Sequence, residues 1–191
     1  MAVYTKINQK EINIINKNFD INKVISFKGI KQGIENTNYL LKSKKKKYIL
    51  TIFEKRVLQK EIPFFMKLMD NLNNSKINCP KPLKTRNNKY LIKLKNKTAC
   101  IVSFLEGKDK KILNINDCYT VGKTIARMHV VTNTMKLNRK NSMGIKNLKP
   151  LLESIKFKSK KFSNLKVFLK NNLKDINKNW PKQLPKGIIH G

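Results

Sequence analysis

Residues 26 to 56, SFKGIKQGIENTNYLLKSKKKKYILTIFEKR, constrain the fold of this chain more than any other stretch. They read as three short strands joined by two turns. The first turn, Gln32-Gly33-Ile34-Glu35-Asn36, sets a glycine and small polar side chains between apolar runs, which is hairpin chemistry. The second, Ser43 to Lys47, is a charged, solvated turn. In the third strand Tyr48, Leu50 and Ile52 fall on one face, and Ile49, Thr51 and Phe53 on the other. A glycine-bearing hairpin is most often only a hairpin. In a twisted antiparallel sheet, however, its backbone N–H groups can also lie over a phosphate chain.

The surrounding elements follow from local patterning. Thr5 is expected to cap a short helix that turns Ile7, Ile14 and Ile15 inward and closes near Phe19. Pro63 suits the first turn of a helix that buries Ile62, Phe65, Met69 and Leu72 and ends at Asn73-Asn74-Ser75. Cys79-Pro80-Lys81-Pro82 is extended, because each proline pushes its predecessor out of the helical region. Two more strands, Tyr90–Leu94 and Thr98–Phe104, flank a tight turn at Lys95-Asn96-Lys97.

The composition then shifts from strands to helices, which marks a lobe boundary at Leu105 to Lys108. Asn116 or Asp117 is expected to cap a helix with Val121, Ile125 and Met128 on its buried face, ending near His129 on the buried side. Residues 133 to 147 read as an irregular loop. Leu165, Leu169, Leu173 and Ile176 then form one helical stripe, with Lys166, Lys170 and Lys174 on a solvated one. Trp180-Pro181 and Leu184-Pro185 break that pattern, and the closing Gly-Ile-Ile-His-Gly reads as a short apolar strand. The fold class expected is α+β, an antiparallel-sheet lobe (residues 1–104) followed by a mainly helical one (residues 105–191).

Charge and cysteines narrow the function classes. With 43 Lys and Arg against 11 Asp and Glu, the formal charge of +32 invites a nucleic-acid reading. The lysines are spread along the whole chain with many Asn and Ile, and few of the cations are Arg, the residue that bidentate phosphate recognition prefers. A basic patch interleaved with aromatics, zinc ligands and a helix-turn-helix pattern are all missing, so no specific nucleic-acid partner is expected. Cys79, Cys100 and Cys118 are odd in number and lack C-x-x-C spacing; they read as reduced, mostly buried thiols. No signal core and no apolar run of membrane-spanning length occurs. A cytoplasmic protein with no membrane partner is expected.

Taken in order, several segments resemble the homoserine kinases of the aminoglycoside phosphotransferase and choline kinase superfamily, whose fold is related to that of protein kinases. They are Ser26–Ile30, Gly33–Leu41, Ile49–Arg56, Pro63-Phe64-Phe65, Cys79-Pro80, Ser103–Gly107, Val121-Gly122 with Ala126–His129, Trp180-Pro181 and Leu184-Pro185. The likeness spans essentially the whole chain, and its motifs are specific as a set. It implies a protein-kinase-like fold and transfer of the ATP γ-phosphoryl group to L-homoserine, a step of threonine biosynthesis, with Mg2+ bridging the phosphates. Within the first lobe it implies nucleotide contacts at Gly33, Asn38 and Thr51, and a hinge at Ser103, Phe104 and Leu105 that faces the adenine.

Two departures accompany the resemblance. Many superfamily members carry a cation where Thr51 stands, which leaves the phosphate-contacting cation unassigned between Lys28 and Arg56. The family's catalytic loop reads His-Gly-Asp with an Asn beyond it and a metal-binding Asp later, whereas this chain reads His190-Gly191 and stops. The resemblance therefore implies a structural role for His190, no catalytic Asp and no metal ligand within these residues. A fragment that cannot transfer phosphate alone is expected. The alternatives are another small-molecule kinase of the superfamily or a basic nucleic-acid-binding protein.

Overall fold

In the computed structural model the described residues are 3–55, 57–141, 144–155, 162–181 and 183–189. Five strands form one antiparallel sheet: β1 (Val24–Gly29), β2 (Thr37–Ser43), β3 (Lys47–Ile52), β4 (Leu91–Leu94) and β5 (Lys97–Ser103), in the order β1-β2-β3-β5-β4. The three strands and two turns expected from residues 26 to 56 are all present. Gly33 takes φ +107, a conformation that L side chains rarely adopt, so glycine is required there by the backbone and not by crowding. Lys95 and Asn96 both have positive φ, which is the two-residue turn that matches strand twist.

Alternation along the strands divides the sheet into two faces. Leu41, Tyr48, Leu50, Ile52, Ala99 and Ile101 form one core with Ile12 and Ile15 of helix α1 (Gln9–Asn18) and with Phe19 just after it. On the other face Ile49, Cys100, Val102 and Leu91 meet helix α2 (Ile62–Asn74) through Ile62, Phe65, Met66 and Met69. Pro63 lies in the first turn of α2, where its missing N–H costs nothing.

Several local expectations are corrected. Asn8, not Thr5, caps α1: its side chain accepts from Lys10 N–H, and Glu11 accepts from Asn8 N–H, a reciprocal box that Thr5 has no acid in place to form. Ile12 and Ile15 face inward, Ile7 is buried ahead of the helix, and Ile14 is exposed. Helix α3 (Ile115–Asn133) is capped by Asn114, two residues before Asn116 and three before Asp117, with Asp117 as the partner of the cap, and runs four residues past His129. Val121, Ile125 and His129 are exposed, not buried. Cys100 is buried and Cys79 half-buried, but Cys118 on α3 is exposed.

The chain divides into two compact units, one running to Leu137 and taking in Ile188, the other Asn138–Gly187. The second holds helix α4 (Ile145–Ser154), which pairs with α5 (Ser163–Asn179) and buries Leu152. The irregular loop expected over residues 133 to 147 is shorter: Asn133 is the last residue of α3, and Ile145, Lys146 and Asn147 are the first of α4. On α5 Leu169 and Leu173 are half-buried while Leu165 and Ile176 are exposed. Ile188 and Ile189 form no strand; the Ile188 carbonyl accepts from the Thr132 hydroxyl. Arg56, His190 and Gly191 lie outside the described residues.

Candidate functional site

Helix α2 covers only part of its face. The cluster it forms draws on β3, β4 and β5 and, among the described residues, on nothing from β1 or β2. Lys28, Leu40 and Asn38 share that face by register, Lys28 opposite Leu40 and Asn38 opposite Thr51. Lys28 is therefore exposed, and Asn38 and Leu40 are half-buried beside the Gly33 turn. The Thr51 hydroxyl donates to Asn38 Oδ1 at 2.8 Å, which fixes the Asn38 amide in orientation. Three residues singled out from sequence, Gly33, Asn38 and Thr51, thus come together at one end of the sheet.

Ser103, Phe104 and Leu105 stand at the other end. Ser103 pairs with Tyr48 in β3, and Thr51 pairs with Cys100, so the groups are three residue steps apart along the strands, about 10 Å at the usual rise per residue. The Ser103 N–H is taken by the Lys81 carbonyl and the Phe104 N–H by the Lys47 carbonyl. Among the described residues nothing accepts from the Leu105 N–H, and Leu105 is exposed. Ser103 and Phe104 also line an open depression of about 1080 Å³ with Lys42, Lys44–Lys47, Lys81 and Lys84; Gly33, Asn38, Thr51 and Leu105 do not. Lys47 in this depression pairs with Glu106 at 2.7 Å and lies 5.2 Å over the Phe104 ring.

Behind the Gly33 turn sits a polar cluster that sequence reasoning missed. Glu54 follows β3, and its nearly buried carboxylate accepts from the hydroxyls of Thr5 (2.6 Å) and Thr37 (2.7 Å) and pairs with Lys97. Burial pushes this carboxyl up, but Lys97, Thr5 and Thr37 outweigh it and hold the group below its ordinary value. The only sequence signal was an acid placed directly after a strand in a chain poor in acids. Its partners lie 17 to 49 residues away, beyond the reach of any local pattern. Elsewhere, burial raises the Cys100 thiol to about 12, which makes it inert. Burial and the Asp70 carboxylate raise Tyr90 to about 12, so its hydroxyl remains a donor to Asp70 at 2.7 Å.

Residues 26–191 match the model of the phosphotransferase enzyme family. The chain belongs to this family. Homoserine kinases from Paramagnetospirillum magneticum and Nitrobacter winogradskyi are 38% and 37% identical to it over 191 residues, and each alignment takes in all of this chain. The chain spans 59% of the length of each of these curated relatives. A spectinomycin phosphotransferase solved with ADP and spectinomycin superposes with a TM-score of 0.61 at 15% identity, covering 95% of this chain and 60% of that one. An aminopropanol kinase associated with a microcompartment gives 0.58 at 14% identity, covering 75% of this chain and 48% of that one. These likenesses show an α+β kinase-like fold. No described helix of this family member is long and apolar enough to cross a membrane.

Proposed function

We propose that the chain carries the nucleotide-covering part of an ATP-dependent homoserine kinase, the enzyme that makes O-phospho-L-homoserine for threonine biosynthesis in the cytoplasm. The observation that carries the reading is the half-covered sheet face. There the Gly33 turn, Asn38 and Thr51 lie at one end of the strands, and Ser103, with the exposed Leu105 beyond it, at the other. A gap of about 10 Å along a strand suits a ligand with a hydrogen-bonding ring at one end and phosphates at the other. In this reading the first lobe extends through Phe104 and the second begins at Leu105. Ser103, Phe104 and Leu105 face the base, and the Gly33 turn lies over the phosphates with Asn38 and Thr51 beneath it.

The donors present fit a nucleotide. Backbone amides at a left-handed glycine can converge on an anion, and exposed Lys28 on the same face supplies a cation. Arg56, the other candidate, lies outside the described residues. ATP would supply the phosphoryl group; what these residues contribute is binding and orientation. Magnesium belongs to the chemistry of such a transfer. The described residues do not fit it: no three His, Cys, Asp or Glu side chains among them converge on a point. No metal-dependent step is assigned to them.

The homoserine acceptor is supported by the curated relatives, homoserine kinases that align with all 191 residues. A chimera tests it: these residues replace the matching ones of the Paramagnetospirillum magneticum enzyme, and ATP-dependent phosphorylation of L-homoserine, choline and spectinomycin is compared. Transfer to homoserine with little to the others is expected. A folded chimera that prefers choline or spectinomycin would remove the homoserine assignment. Titration of the chain alone with ATP tests the nucleotide part, and no heat at millimolar ATP would remove that.

A further inference from the structure

Residues 3–5 run directly behind the Gly33 turn and bind it at both ends. Val3 lies flat on Gly29, where a Cβ would come within 2.8 Å of its Cγ2. The Tyr4 hydroxyl donates to the Ile34 carbonyl at 2.8 Å, inside the turn itself. The Tyr4 and Thr5 N–H groups both donate to the Thr37 hydroxyl, at 3.0 and 3.1 Å, where the turn re-enters β2. That hydroxyl in turn donates to Glu54, so its donor and both acceptor positions are used. The Glu54 N–H donates to Asn36 Oδ1 at 3.3 Å, and Lys97 donates to Thr5 Oγ1 at 2.7 Å. The Tyr39 hydroxyl donates to the Thr5 carbonyl at 3.0 Å and accepts from the Ile7 N–H at 3.3 Å.

A glycine turn left to itself samples many conformations. This one is held at Gly29, Ile34, Asn36 and Thr37 by groups remote in sequence. We propose that residues 3–5, anchored on Glu54 and Lys97, are a positioning strap that sets the conformation of the Gly33 turn, with Tyr4 as the positioning residue that reaches the turn directly. This rests on the reading that the turn covers the phosphates of a nucleotide. The strap touches no substrate; it acts through the turn. Its effect therefore falls on ligands that carry phosphates and spares those that reach only the hinge end.

The test compares the 191-residue chain with Tyr4→Phe, which removes one exposed hydroxyl and leaves the core intact, and with Glu54→Gln, which removes the charge that anchors Thr5, Thr37 and Lys97. Binding of ATP and of adenosine is measured by calorimetry, and amide exchange is followed at Ile30, whose N–H donates to the Asn38 carbonyl across the base of the turn. Loss of one neutral hydrogen bond predicts ATP binding weakened about three- to tenfold in Tyr4→Phe. Adenosine binding stays unchanged, and Ile30 exchange quickens in both variants. Equal losses for ATP and adenosine would show general loosening and overturn the positioning role. Unchanged exchange at Ile30 in both variants would overturn the strap. Failure of the unmodified chain to bind ATP would instead overturn the nucleotide reading, a result told apart by the exchange data.

Discussion

The two faces of the sheet are built from the same alternating strands, yet they are finished differently. The face under α1 is closed: Leu41, Leu50, Ile52 and Ile101 are all fully buried there with Ile15 and Phe19. The face under α2 is closed only over β3, β5 and β4, and its β1–β2 portion keeps Lys28, Asn38 and Leu40 in partial contact with solvent. Apolar burial, at about 25 cal/mol per Å², concentrates stability on the first face. The second gives some of that up to keep an open, polar surface next to a glycine turn. The difference separates a closed core from a surface that stays open to solvent.

The contrast is most easily broken by truncating one leucine on each face. Leu50→Ala should cost about 2–5 kcal/mol, because the surrounding residues can close the cavity only in part. Leu40→Ala, on the half-open face, should cost under about 1 kcal/mol, since surface changes away from packed features are small. Denaturant unfolding measures both, and equal losses would mean that the faces are equally packed.

Acid unfolding sharpens the comparison next. Glu54 is held below its ordinary value despite burial, so its contribution is fully present above the unfolded carboxylate range, near pH 4.5. It is lost as pH falls through the lowered folded value. Glu11 is lowered as well, first by the Asn8 N–H, with Lys95 adding to the effect against burial. Both anchor segments on the α1 side of the sheet. Stability should therefore drop steeply below pH about 4.5, and Glu54→Gln should flatten part of that drop. An unaltered acid limb in the variant would show that Glu54 carries no pH-dependent stability.

Thiol labelling reads burial on the second face and on the helix beyond it. Cys118 should react first and Cys79 more slowly. Cys100, raised to about 12 between α2 and the sheet, should react only on unfolding. A comparably small effect is expected of Thr51→Val, which removes the bond to Asn38. It should cost about 0.5–1.5 kcal/mol of stability and weaken ATP binding more than adenosine binding. An equal effect on both ligands would place Asn38 away from the phosphates.

Much of this protein was determined by its sequence through short-range rules. The period of two in β3, the left-handed glycine at Gly33, the Lys95-Asn96 turn and Pro63 in the first turn of α2 each act over a few residues, so the strands and their faces were legible directly. Where two local signals competed, the stronger reciprocal bond decided: Asn8 with Glu11 displaced Thr5, and Asn114 with Asp117 displaced the later cap. The loop expected to run to Asn147 gives way at Ile145 to α4, a helix that packs on α5 and has no capping side chain to announce it. What only the tertiary structure decided is long-range. The burial of Thr5, Thr37, Glu54 and Lys97 in one cluster, and the partial cover that leaves Asn38 and Lys28 open, depend on groups up to 92 residues apart. No pattern within a strand or helix encodes such meetings, because they exist only once the sheet has brought its strand ends to one place.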